Sequence, residues 1–227
     1  ITQSCSAHKI IAFDPSYIPK SGKHTEHLSW FWSGTSGKAM KGLEIGGLAV
    51  IDIENNTAMS LEAIQTPSVA KELRQTGKSM VDHYAGVIIQ RKEILQELSG
   101  YLAVDGYFAK ESFVIPILEN TSLHIISKLR TDANLWYPYQ GEHTGKRGRP
   151  KSYTEKVAVK NIDKTLITLC YQDDDTRVYE GIVYSKMLGR NIKIAYLERW
   201  KDGSCSGEYA ILFSTDLHLA GSLIYLY

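Results

Sequence analysis

Two aspartates share a local setting in which a carboxylate can do chemistry. Asp14 closes the short apolar run Lys9 to Phe13 and is followed by Pro15, Ser16 and Tyr17, while Asp105 closes Tyr101 to Val104 and is followed by Gly106, Tyr107 and Phe108. Each reads as an acid that a buried strand delivers to a turn, with an aromatic residue just beyond. Ligands of α/β sheets gather outside the carboxyl ends of strands, so neighbouring strands would bring the two acids to one rim. Carboxylates held close repel one another, and a divalent cation between them removes that cost. Hard, oxygen-seeking Mg²⁺ (or Mn²⁺) needs only one or two protein carboxylates and takes its other ligands from water and phosphate. The chemistry this predicts is phosphoryl transfer, in which two such ions activate an attacking hydroxyl and stabilise the leaving oxygen.

Each acid alone also reads as an Asx-turn or a helix cap, the commoner use of an Asp after a strand. Their matched contexts favour the pair. Asp52 lies in an apolar strand as well, but alternation there is expected to turn it to solvent beside a hairpin.

The elements that would position these acids follow from hydrophobic period and turn chemistry. Pro15 is expected to stop the first strand. A polar stretch from Ser16 to Lys41 follows, interrupted by Trp30, Phe31 and Trp32. Leu43 to Ile53 and Ala58 to Ile64 read as a hairpin joined through Glu54-Asn55-Asn56-Thr57. From Ser79 to Leu98 the apolar spacing predicts one helix, stopped at Gly100. Tyr101 to Val104 is a strand, Ser112 to Leu118 a helix despite Pro116, and Leu123 to Leu129 a strand again. A hairpin-built antiparallel edge followed by helix-connected strands predicts an α/β mixed sheet covered by helices, in the element order of the RNase H-like fold.

Beyond Arg130 the texture changes. Short β-type runs are predicted at Lys156 to Val159, Leu166 to Tyr171, Arg177 to Tyr184, Ile192 to Trp200 and Tyr209 to Phe213. The expected organisation is a core over 1–130, a mostly antiparallel β insertion over 131–210, and a return to the core over 211–227.

Composition narrows the class of protein. With 227 residues, 43% hydrophobic and 22% charged, the chain can bury a sizeable core. No apolar run approaches the roughly 20 residues that cross a bilayer, and a secretory signal pattern is lacking, so a cytoplasmic protein is expected. Cys5, Cys170 and Cys205 are too few and too far apart for a disulfide framework or a zinc ribbon. His24 and His27 read as loop histidines. The chain begins at Ile1 and stops at Tyr227 inside the apolar run Leu223 to Tyr227, which reads as an excised piece.

The net charge of +1 hides a local excess: residues 128–160 carry eight basic side chains against three acids. Within them Lys146-Arg147-Gly148-Arg149-Pro150-Lys151 looks like an AT-hook core, whose arginines flanking glycine enter a narrow minor groove while the lysines meet phosphates. A solvated basic turn is the plainer alternative. Trp30, Phe31, Trp32, Trp136 and Trp200 are candidates for stacking on unpaired bases, with core packing expected for most of them. Trp200 is the expected exception, because it precedes Lys201-Asp202-Gly203 at a hairpin tip.

These residues carry a resemblance. The runs Ala12 to Lys23, Phe31 to Gly34, Lys41 to Glu44, Glu62 to Pro67, Val104 to Phe108 and Gly148 to Lys151 resemble bacterial insertion-sequence transposases of the DDE superfamily, of the IS-four-like kind. The resemblance implies a cut-and-paste enzyme in which two Asp and one Glu hold the metal ions that cleave transposon ends and join the freed 3′-hydroxyl to target DNA. Asp14 would be the first acid and Asp105 the second. It also implies a homodimer on paired ends, associated with a bacterial nucleoid, and a β insertion between the second and third acids. The third acid belongs on a helix after that insertion, where this chain ends, so the piece is expected to be inactive alone. Glu198 and Glu208 lie in β-like segments, and Asp216 is expected to cap the last helix. Two alternatives stand beside this reading: a degenerate DNA-binding remnant, and an RNase H-like nuclease without strand transfer.

Overall fold

Alternation builds the longest early strand. In β3 (Lys38–Asp52) the even positions Gly42, Glu44, Gly46, Leu48, Val50 and Asp52 are buried, whereas the odd positions stay open or half open. A computed structural model describes residues 8–68, 72–139, 141 and 153–227 of the chain. Its contacts divide the chain into two units, one of 1–104 and 112–123, the other of 105–111 and 124–227.

In the first unit β3 pairs along one edge with β1 (Lys9–Pro19), and along the other with β2 (Ser29–Ser33) and then β4 (Thr57–Gln65), all antiparallel. β5 (Tyr101–Val104) joins β1 in parallel, giving the order β2-β3-β1-β5. The sheet is therefore mixed, as expected. The covered face holds Ile11, Phe13, Leu48 and Val50, with the Phe13 ring on Tyr84 of α1 (Met80–Gln90). Gly46 leaves room for the Phe13 ring, since a Cβ there would lie 2.8 Å from its Cε2. Ser79 starts α1 with a capping box to Asp82, worth about 1 kcal/mol for such caps.

The single helix expected from Ser79 to Leu98 is two, because Arg91 (φ −104°, ψ 7°) leaves helical geometry between α1 and α2 (Lys92–Leu98). Its guanidinium grips the Glu62 carboxylate on β4 and donates to the Val87 carbonyl at 3.2 Å. A third helix, α3 (Glu111–Asn120), runs through Pro116 as expected.

Asp52 corrects its expectation. It is 3% exposed, and its carboxylate accepts from the Asn55 amide and side chain at 3.1 and 3.0 Å, so it caps the hairpin turn instead of facing solvent.

The second unit is mostly antiparallel. Its strands are β6 (His124–Leu129), β7 (Leu135–Pro138), β8 (Tyr153–Lys156), β9 (Thr168–Gln172), β10 (Thr176–Ser185), β11 (Arg190–Lys201) and β12 (Ser204–Ser214), ordered β6-β12-β11-β10-β7-β8 with β9 also on β10. Asp202 and Gly203 both take positive φ (50° and 74°), the type I′ requirement of a two-residue hairpin between β11 and β12. The strand expected over Lys156 to Val159 is not found: Val157 and Val159 are buried beside a 3-10 turn, Val159–Asn161. A short helix, α4 (Gly221–Leu226), packs on β10 and β11. Asp216 does not cap it. Ala220 stands at that position, and the Asp216 carboxylate accepts from the His218 amide at 2.9 Å in a preceding turn.

Candidate active site

Asp14 does not end its strand. β1 continues through Pro15 to Pro19, with Asp14 opposite Gly47 and Pro15 opposite Gly46 on β3. The parallel ladder to β5 stops earlier, at the pair Phe13 and Val104. Beyond that rung β1 no longer has β5 beside it, and a proline's missing N–H is tolerated on such an edge. Asp14 is exposed there, directly after Phe13, whose ring packs on Tyr84 at 5.3 Å between centroids.

Asp105 follows Val104, the β5 end of the same rung. Its carboxylate accepts from the Tyr107 amide at 2.8 Å, and its carbonyl accepts from the Ser127 hydroxyl at 2.8 Å. The plain Asx-type reading therefore holds for Asp105, and it has a positioning consequence: the amide fixes the rotation of the carboxylate. Gly106 permits the tight turn, since a Cβ would lie 3.1 Å from the Lys128 carbonyl, and Phe108 anchors it as a fully buried ring. A recess beside Gly106 is lined by Lys128, Leu129, Arg130, Thr131 and Asp132.

One acid was missed by sequence reasoning. Glu44 is 6% exposed on the covered face of β3, where the Tyr84 hydroxyl donates to its carboxylate and the Thr66 hydroxyl does so at 3.2 Å. The two hydroxyl oxygens lie 2.7 Å from each other. Burial pushes the Glu44 carboxyl above its ordinary value; the two hydroxyls oppose that shift, and the negative charge of Asp14 adds to it. The available signal was parity, because Glu44 falls in step with Gly42, Gly46, Leu48 and Val50.

The remaining candidates separate. Lys146, Arg147, Arg149 and Lys151 lie outside the described residues. Trp200 is half-buried, with the Arg177 guanidinium 3.3 Å above its ring, so the open hairpin-tip tryptophan that was expected is not found. Trp136 donates to Asn134 at 2.8 Å and packs on Tyr153. Phe31 is core, as expected, but Trp30 and Trp32 are 66% and 64% exposed and are not. Glu198 is buried and paired with Lys164 at 2.8 Å, Glu208 is exposed, and both lie in strands.

A profile described as DDE superfamily endonuclease matches residues 2–180, most of the chain and both candidate aspartates. The chain belongs to the DDE superfamily endonucleases. No curated protein matches it. Endonucleases of this superfamily cleave nucleic-acid phosphodiesters, and they generally use divalent metals. Asp14 and Asp105 each offer carboxylate oxygens in an exposed position, donors of the kind such an ion takes, and not thiols or imidazoles. Among the described residues no three His, Cys, Asp or Glu side chains gather into one metal-holding group. No helix among the described residues is long and apolar enough to cross a membrane.

Proposed function

We propose that this DDE superfamily chain is the catalytic part of a bacterial insertion-sequence transposase of the IS-four-like kind, with an RNase H-like core over 1–130, a β insertion over 131–210 and a return over 211–227. Asp14 and Asp105 would hold Mg²⁺ or Mn²⁺. The observation that carries this reading is the last rung of the parallel ladder, Phe13 opposite Val104, because the next residue along each strand is the acid. When bound, the metal supplies an activated hydroxyl and charge neutralisation at the scissile phosphate.

The chain's own residues orient and shield. The Tyr107 amide fixes the Asp105 carboxylate, and the packing of Phe13 on Tyr84 fixes the backbone that presents Asp14. The basic stretch with Lys146, Arg147, Arg149 and Lys151, and Trp200 under Arg177, would contact transposon-end and target DNA, with two copies of the chain acting on paired ends. The third acid of the superfamily set is assigned to no residue here.

Fe²⁺ in place of Mg²⁺, with ascorbate and peroxide, cuts a polypeptide next to the bound ion. Fragments ending near residues 14 and 105, both suppressed by excess Mg²⁺, are the expected result. Cutting elsewhere, or at only one of the two, would contradict a shared site.

A further inference from the structure

Directly opposed residues of an antiparallel pair point to the same face of the sheet. Trp30 is opposite Lys41 and Trp32 opposite Ala39. Ile18 is opposite Leu43, Ser16 opposite Ile45, and Asp14 opposite Gly47. All five β3 partners are odd-numbered, so Trp30, Trp32, Lys41 and Asp14 share the open face of this sheet, opposite the face that buries Gly42, Glu44, Gly46 and Leu48.

Two large indoles, 66% and 64% exposed, are not core residues and cost free energy in water. Their spacing is informative. Alternate residues on a strand lie about 6.6–6.8 Å apart, twice the roughly 3.4 Å rise per base of a nucleic-acid strand, so one base fits between the two rings. The charge around them suits a phosphate backbone: residues 16–41 contain Lys20, Lys23, Lys38 and Lys41 against the single acid Glu26. From Lys41 to Gly47 the strand advances about 20 Å, the reach of about six stacked nucleotides.

We propose that Trp30 and Trp32 form a clamp for an unpaired base of a single DNA strand, whose backbone is met by Lys41 and which runs along the open sheet face toward Asp14. The proposal rests on DNA being the substrate, and it assigns the clamp to residues of β2 and not to Trp200 or the basic stretch Lys146 to Lys151. Stacking tolerates any base, because every base presents a π-face, so the clamp holds a strand without reading its sequence.

The test is fluorescence anisotropy with a labelled single-stranded oligothymidylate and a duplex of equal length, in chelator so that metal plays no part. The wild type is expected to bind the single strand, Trp30→Ala and Trp32→Ala each to bind it roughly tenfold more weakly, and Trp30→Phe to recover most of the loss. Duplex affinity and melting temperature should be unchanged in all three. Equal single-strand affinity for the wild type and both alanine variants overturns the proposal, as does a wild type that binds only duplex. Self-association of the wild type that is lost in Trp30→Ala, with DNA affinity untouched, would assign the face to a second copy of the chain and also overturn it. Asp14→Asn, which removes a negative charge from the path, should not weaken single-strand affinity, so failure of the metal site and failure of the clamp are read separately.

Discussion

Glu44 shows how a single residue can be wrong by its type and right by its partners. A lone glutamate in a strand reads as solvent-facing, and neither Thr66 nor Tyr84, the groups that make its burial tolerable, is near it in sequence. Asp14 and Asp105 stand out in sequence because the pattern around each lies within a few adjacent residues, and both are exposed. Asp52 was misread for the opposite reason, since its partner Asn55 sits in the turn and draws the carboxylate inward. Because the folded state raises the Glu44 carboxyl above the ordinary 4.5, it binds a proton more tightly than the unfolded chain does. Its contribution to stability is then full below the ordinary value and is lost as pH rises through the raised one. Urea unfolding across this window should show wild-type stability falling with pH relative to Glu44→Gln, which has no such proton to lose. Parallel curves would mean that the carboxyl is not perturbed. Tyr84→Phe should cost about 1–3 kcal/mol in the same assay, since it leaves a buried oxygen short of a donor.

At the scale of elements, hairpins and capped helices followed from local residues, whereas strand ends did not. β1 runs four residues past Pro15 because its partner β3, far along the chain, keeps pairing with it to Gly42. At the break Arg91 is held by Glu62 of β4, again out of sight of the local pattern. Trp200 was placed on the correct hairpin, but its cover comes from Arg177 on the neighbouring β10. α4 offers a test of such long-range packing. The Gly221 amide donates to Glu180 on β10 at 2.5 Å, and Lys193 pairs with the same carboxylate at 3.0 Å. Burial raises the Glu180 carboxyl, but the amide and the lysine together outweigh it and hold it below its ordinary value. A Cβ on Gly221 would meet Glu180 Cβ at 2.6 Å and Cys170 Sγ at 3.1 Å, both half-buried against the helix start. Gly221→Ala should therefore destabilise by about 1–3 kcal/mol, read as a lower melting temperature. An unchanged melting temperature would show that α4 is not held as described.

For the whole molecule, a net charge of +1 reveals little, and function was legible only through residues placed in order along the chain. The sequence pattern conveyed a mixed sheet, and of the two acids expected at strand ends only Asp105 follows one, since Asp14 lies within β1. It did not convey which strands would be neighbours, because pairing is decided by contacts between distant segments, and the parallel rung of Phe13 with Val104 is such a contact. The basic stretch near residue 150 is evident in sequence but lies outside the described residues. The central proposal is that Asp14 and Asp105 serve one metal site. Its most direct measurement is calorimetric titration of Mn²⁺ into the wild type, Asp14→Asn and Asp105→Asn. Binding by the wild type that either substitution abolishes, or weakens at least tenfold (about 1.4 kcal/mol), is the predicted result. Wild-type affinity retained in both variants would contradict the account.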